Sequence, residues 1–485
     1  MPSPLPESTP EAQGVSSQAI LNFLKRAEAA GLELHGFRLL RRGRTLAAGA
    51  WAPYTLDLPH PLYSVSKSFV ASAVGLLIGD GRLTLDDPVL PFFPEYAPAV
   101  VSERLAALRV RDLLTMTSGH AEDQIFRLYD QQPQPWARSF LAQPLDHAPG
   151  ERFVYNSAAT YMLSAILERV SGQPLLDFLS ARLLEPLGIQ GAAWQLNAEG
   201  QAIGGWGLRL PLDGLARLGQ LYLQGGEWEG RQLLPRGWVE QASAAQVSTA
   251  ADRTGDWAQG YGFQLWRSTH AAYRADGALG QFIMVLPEQE AVLALTAGVN
   301  DMQAVLDAVW AELLPAFAAQ PLPPDAPALA RLRAHCAALA LPTVAGQSSS
   351  SSPGWTAGRR YTLAANPLGL NAVQVSASEQ GLTLTLHTAR GPFSLEAGLG
   401  GWLNRTSGWN PSGDLDGPGP WQVAGSAAWT TPGTLELHFK YLGTAATHVL
   451  QLQLPEGGER LQLELSAPVS FWGHAPLSLE GTAEG

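Results

Sequence analysis

The stretch that decides the reading is LYSVSKSFVASAVGLL, residues 62–77. It sets Ser64 three residues before Lys67 and follows the pair with an almost wholly apolar run. The chain has three lysines, Lys25, Lys67 and Lys440, and draws nearly all its other positive charge from arginine. A lysine at the mouth of a buried segment therefore needs a reason that arginine does not satisfy. A serine hydroxyl is a poor nucleophile until a base takes its proton. Lysine can be that base once desolvation lowers its pKa, whereas arginine does not deprotonate in proteins. Residues three apart share a helix face, so a helix starting at Ser64 puts Lys67 one turn beyond it. Its N-terminus would favour negative charge developing at the serine. Alone, Ser-x-x-Lys is a weak signal, and a capping serine beside a snorkelling lysine is the plain structural alternative.

Outward from this stretch, residues 17–30 read as an amphipathic helix stopped by Gly31, and residues 33–51 as two strands around an Arg42-Gly43 turn. The opening segment stays helical until Gly79–Gly81, and helix and loop continue to about residue 255. Strands return as YGFQLWR, QFIMVLPE and AVLALTAG, before a helix over residues 302–317. Strands at both ends of a helical block predict an α+β fold in which both ends build one sheet. A proline-rich break at residues 319–327, a short helix over 329–340 and the linker GQSSSSSPG, residues 346–354, separate this part from a β-like remainder. There, Leu382, Leu384 and Leu386 alternate, as do Leu461, Leu463 and Leu465, which predicts an all-β sandwich or barrel. The expected organisation is a first domain over 1–318, a linker with a short helix over 319–353 and a second domain over 354–485.

Length and composition agree with this. The chain has 485 residues, 46% apolar and 15% charged, with 31 basic and 43 acidic residues and a net charge of −12. That balance argues against nucleic acid or an anionic membrane surface as partner. One cysteine, Cys336, excludes an internal disulfide and a thiolate cluster. The N-terminal residues lack a basic start and an apolar core, so the expected location is cytoplasmic.

Two further segments keep company with the serine and lysine. GERFVYNSAATY, residues 150–161, carries Tyr155-Asn156-Ser157 before a helix, and YRADGALGQFIMVLPE, residues 273–288, puts Gly277 and Gly280 at the start of a strand. In this order the three segments resemble the penicillin-recognising serine hydrolases, and YSVSKSF, LLTMTSGH and GQLYLQGGEWEGRQLLP look most like the 6-aminohexanoate-dimer hydrolase and esterase branch. The resemblance covers roughly residues 10–318. It implies a β-lactamase-like antiparallel sheet flanked by helices, an acyl-enzyme on Ser64 with Lys67 as base, Tyr155 as proton shuttle, and an oxyanion hole from the backbone N–H groups of Ser64 and Ala278. It implies no cofactor or metal, and a small ester, amide or peptide as substrate. Gly277 would let substrate lie against the strand edge. Ser157 stands where the family usually has asparagine, leaving open whether Ser157 or Asn156 supports Lys67. Asp276 stands where the family usually carries a cation before the glycine, which argues against penicillin as substrate. A β-lactamase, a D-amino-acid peptidase and an acylated sensor without turnover are the alternatives.

Other residues weigh less. His60 is a candidate for lining the site. His120, Glu122 and Asp123 read as a polar loop near the cleft rather than a metal site. Trp402, Trp409, Trp421, Trp429 and Trp472 are expected to fill the β core rather than form a binding face.

Overall fold

The computed structural model describes residues 5–131, 134–349, 357–410, 419–454, 458–470 and 475–484. Ends distant in sequence do build one sheet. It has six strands in the order β2 (Arg44–Ala50), β1 (Leu34–Arg41), β6 (Ala291–Ala297), β5 (Gln281–Leu286), β4 (Tyr273–Gly277) and β3 (Trp266–Arg267). Every pairing is antiparallel. The central strands are apolar at nearly every position because both faces are covered. Along β6, Val292 and Ala294 join one core, while Leu293 and Leu295 join the other. This is the two-residue period of a strand buried on both sides. Helix α1 (Ser17–Ala29), capped by Ser16, packs on one face; α4 (Leu212–Leu223) packs on the other.

Between the two halves of the sheet lies the helical block. Its centre is α2 (Ser66–Gly79), buried from Ser66 to Leu77, against which α3 (Ser157–Ser171) packs. A helix apolar all round belongs inside a domain, and α2 is one. The helix does not begin at Ser64, which instead lies in a 3₁₀ turn, Tyr63–Val65, entered through Tyr63 at φ 45°. YGFQLWR is also less regular than its pattern suggests. Only Trp266 and Arg267 are strand, and Gln264 is left-handed at φ 59°. Its side chain instead ties Leu113 O and Leu114 O to Thr160.

The remainder folds as a closed barrel. Nine strands form a ring from Gly391–Leu399 to Trp421–Thr431, and these two close it as a parallel pair, Gly398 beside Ser426. The parallel seam follows from parity. The other eight contacts in the ring are antiparallel, so strand direction reverses eight times and the two ends point the same way. A Cβ on Gly425 would lie 2.1 Å from Glu396 O, so only glycine admits this seam. Leucines and Trp409 and Trp429 fill the interior, and a void beside Tyr361 and Leu461 holds about 10 Å³, room for a single water. Trp421 is only partly buried against this core. Trp402 packs against the core of the first domain, and its indole N–H donates to Leu341 O, in the segment between the domains, at 3.0 Å. Trp472 lies outside the described residues, as do Ser350–Gly354 of the linker. The start of that linker is paired: Gln347 exchanges both backbone hydrogen bonds with Trp429. No helix among the described residues is long and apolar enough to cross a membrane.

Candidate active site

A cleft of about 740 Å³ opens where the 3₁₀ turn, the start of α3 and the end of β4 meet. Ser64, Tyr155, Ser157, Asp276 and Ala278 line it, with Trp206, Trp257, Trp266 and Tyr129 as aromatic walls. Ser64 is half-buried at its base. The first turn of α2 carries Lys67 beneath it, 1% exposed. Lys67 Nζ lies 2.9 Å from Ser64 Oγ and donates to Gly205 O at 2.6 Å. Desolvation lowers its pKa from 10.5 to about 8, against the opposing charges of Asp123 and Asp276. The cause is structural: the helix that holds Lys67 is buried on every side.

Tyr155 completes the cluster. Its ring centroid is 4.9 Å from Lys67 Nζ, and its hydroxyl is near enough to Ser64 for the serine to act against the rise in its pKa. Trp266 stacks on it at 5.7 Å and Tyr261 meets it edge-on. Burial raises its pKa, and Asp276 adds to the rise, so the phenol stays protonated and acts as a donor. Neither Ser157 nor Asn156 bonds to Lys67; the Gly205 carbonyl holds that place. Asn156 faces away and caps α3, its Oδ1 accepting from Ala158 N and Gln124 N, both at 3.1 Å. Its amide reaches Ser118 at 3.3 Å. His120 shares this pocket, with Nδ1 3.0 Å from Ser118 Oγ. Among the described residues, no group of three or more His, Cys, Asp or Glu could hold a metal.

Two positions differ from the sequence reading. His60 does not line the cleft. It is 3% exposed, with Nε2 2.9 Å from His35 Nδ1 and Nδ1 3.0 Å from Pro61 O. Gly277 answers a packing demand that the sequence reading did not see, because a Cβ there would lie 2.2 Å from Leu62 O. That close approach presses the end of β4 against the turn that carries Ser64. Ala278 follows the last residue of β4 and lines the cleft. Asp276, one residue earlier, is buried in an ion pair with Arg274 at 3.1 Å, and the Arg274 guanidinium lies 4.5 Å over Trp257. Burial raises the Asp276 pKa, and Arg274 opposes the rise.

The sequence reading missed Gly205, which accepts from Lys67, and the lining residues Trp206, Arg209 and Trp257 with the wall formed by Ile125, Phe126 and Tyr129. A backbone carbonyl has no signature in the residue that carries it. The GGW run at residues 204–206 was the available signal, since a tryptophan after two glycines marks a chain bent close to something.

A family model described as Beta-lactamase matches residues 24–314. Esterase EstB of Burkholderia gladioli is 34% identical over 172 residues, 32% of this chain and 44% of that protein. The 6-aminohexanoate-dimer hydrolase of Paenarthrobacter ureafaciens is 30% identical over 224 residues, 43% of this chain and 56% of that protein. The chain thus spans about half the length of the curated relatives it matches. Among solved structures, an octameric penicillin-binding protein homologue from Pyrococcus abyssi aligns with a TM-score of 0.50 at 15% identity, covering 96% of this chain and 99% of that one. At that identity the likeness is one of fold.

Proposed function

Because the chain belongs to the Beta-lactamase family, we propose that it is a serine hydrolase that opens an ester or amide bond through an acyl-enzyme on Ser64. The observation that carries this is the placement of Lys67, desolvated to a pKa of about 8 with Nζ 2.9 Å from Ser64 Oγ. Gly205 O engages one Nζ–H. Once the amine is neutral, its lone pair is left for the serine proton. Ser64 Oγ then attacks the carbonyl carbon, and Lys67 takes the hydroxyl proton. The N–H groups of Ser64 and Ala278 are the donors for the oxyanion, an effect worth about 3–4 kcal/mol per donor. As the carbonyl re-forms, the bond to the leaving group breaks. Tyr155 gives that group its proton and recovers one from Lys67. In the second half, water takes the leaving group's place: the neutral Lys67 amine accepts its proton, its oxygen attacks the ester carbonyl carbon, and as the bond to Ser64 breaks, Ser64 Oγ takes that proton back from Lys67.

Esterase and amide-hydrolase names among the relatives support this substrate class. Asp276 at the cleft floor favours a neutral acyl group over a penicillin carboxylate. The test is incubation of the intact protein with a fluorophosphonate and with a short-chain p-nitrophenyl ester. Turnover together with a mass increase on Ser64, both lost in Ser64→Ala, supports the reading. A stoichiometric burst without turnover would favour an acylated sensor, and full activity in Ser64→Ala would refute the nucleophile.

A further inference from the structure

Behind the nucleophile turn, away from the cleft, a buried polar chain crosses from one domain to the other. Lys440, on the barrel strand Thr434–Tyr441, donates to Glu33 Oε2 at 2.7 Å and to Thr447 at 2.8 Å. Glu33 Oε1 lies 3.0 Å from His35 Nε2, His35 Nδ1 lies 2.9 Å from His60 Nε2, and His60 Nδ1 lies 3.0 Å from Pro61 O. Pro61 is three residues from Ser64. Lys440, His35 and His60 are all buried, and Tyr54 stacks on the His35 ring at 3.8 Å.

Three other contacts from the same barrel hairpin converge here. Tyr54 donates to Thr444 O at 3.3 Å. Arg209, which lines the cleft, donates to Gly443 O at 2.9 Å; its strand, Leu208–Leu210, pairs with His60–Pro61. A Cβ on Gly298 would lie 2.9 Å from Ala445 O, and the next residue, Val299, bonds to Leu279 in the turn that carries Ala278. The hairpin therefore touches neighbours of both oxyanion donors.

We propose that the barrel is a brace for the catalytic turn, and that Lys440 is a positioning residue for Ser64, acting through Glu33, His35 and His60. The proton count shows why the glutamate matters. The chain of rings runs between two acceptors, a carboxylate and a carbonyl, and has three contacts. Two neutral imidazoles supply protons for two of them. Burial outweighs the pull of the Glu33 carboxylate and lowers the pKa of both rings, so one contact is left without a proton and the chain depends on Glu33 and Lys440 to hold it in register. Burial also acts to raise the pKa of Glu33, but the His35 hydrogen bond and the Lys440 charge outweigh it and hold the carboxyl at about 2. Lys440 thus keeps Glu33 ionised and fixed. The two lysines buried in this chain then serve one serine, one from beneath and one from the other domain.

This inference rests on the acyl-enzyme reading, and the experiment separates the two. Lys440→Met, Glu33→Gln and their double variant are compared in the full-length chain for kcat, KM, fluorophosphonate labelling rate and melting temperature. The expected result is a kcat lower by roughly ten- to a hundredfold with KM within about twofold, since small misplacements of reacting groups have effects of this size. The labelling rate falls in parallel, and the double variant is no worse than the poorer single one. Should Lys440→Met fail to fold, Thr447→Val decides, because it removes a hydroxyl that holds both Lys440 and Glu33 while leaving both charges in place. A lowered melting temperature with unchanged kcat per titrated Ser64 would show a mere tether and overturn the brace. Activity surviving in Ser64→Ala would remove the acyl-enzyme reading itself.

Discussion

The base assignment turns on the pH dependence of Ser64 labelling. With Lys67 at a pKa of about 8, about 9% of it is neutral at pH 7 and about 91% at pH 9, so the labelling rate should rise roughly tenfold between them. An ordinary lysine near 10.5 would still be only about 3% neutral at pH 9, so its rate would climb roughly a hundredfold over the same span without levelling off. The assay is the second-order rate of fluorophosphonate addition to Ser64, followed by intact mass, with Ser64→Ala as background. The same shift has a stability consequence. Between about pH 8 and 10.5 the unfolded chain binds the proton and the folded one does not, so stability rises with pH across that window and is lowest below it. Below pH 8 the cost of the buried ammonium is about 3 kcal/mol, at 1.36 kcal/mol per pKa unit. Lys67→Met should therefore abolish labelling while raising the melting temperature at pH 7. A flat profile between pH 6.5 and 9, a limb near pH 10, or near-normal labelling in Lys67→Arg would refute lysine as the base.

Three other perturbations follow. Asp276→Asn removes a charge that raises the Lys67 pKa, so the acid limb of labelling should move to lower pH; the same change leaves Arg274 buried without its partner, and urea unfolding should show a loss of roughly 3–5 kcal/mol. Asn156→Ala strips the cap of α3 and a tie to Gln124; a loss of about 1–2 kcal/mol in urea titration is expected, with the Lys67 limb unmoved, since Asn156 does not touch that amine. Gly277→Ala drives a methyl group into Leu62 O and should displace the nucleophile turn, so that kcat falls far more than substrate affinity, read from steady-state kinetics.

The pairing of Ser64 with Lys67 was legible because it is local: two residue types on one helical turn, followed by an apolar run that could only be interior. The joining of the chain's two ends into one sheet was legible from the order of periodicities. What lay beyond reach shares one cause, dependence on contacts far apart in sequence. His60, four residues before Ser64, looked like a neighbour in the cleft, but the left-handed Tyr63 turns the chain between them and His35 claims the ring. Gly277 looked like an opening for substrate, and the carbonyl that requires it comes from Leu62. The Asn156 role was readable in part, since an asparagine just before a helix is a cap first. The barrel was distinguishable from a sandwich only through its closing seam, which two backbone pairings make.

Strand β1 pairs with β6 across some 250 residues of chain, and Lys440 meets Glu33 across 407. A ribosome adding about 5–20 residues per second exposes the β1–β2 hairpin for tens of seconds before its partner strand emerges. Throughout that interval the β1 edge that will meet β6 is unpaired, which exposes the hairpin to mispairing with other chains. The turn that carries Ser64 is pressed against β4, and β4 is made some 200 residues later, so the nascent chain carries the proposed nucleophile long before the cleft around it exists.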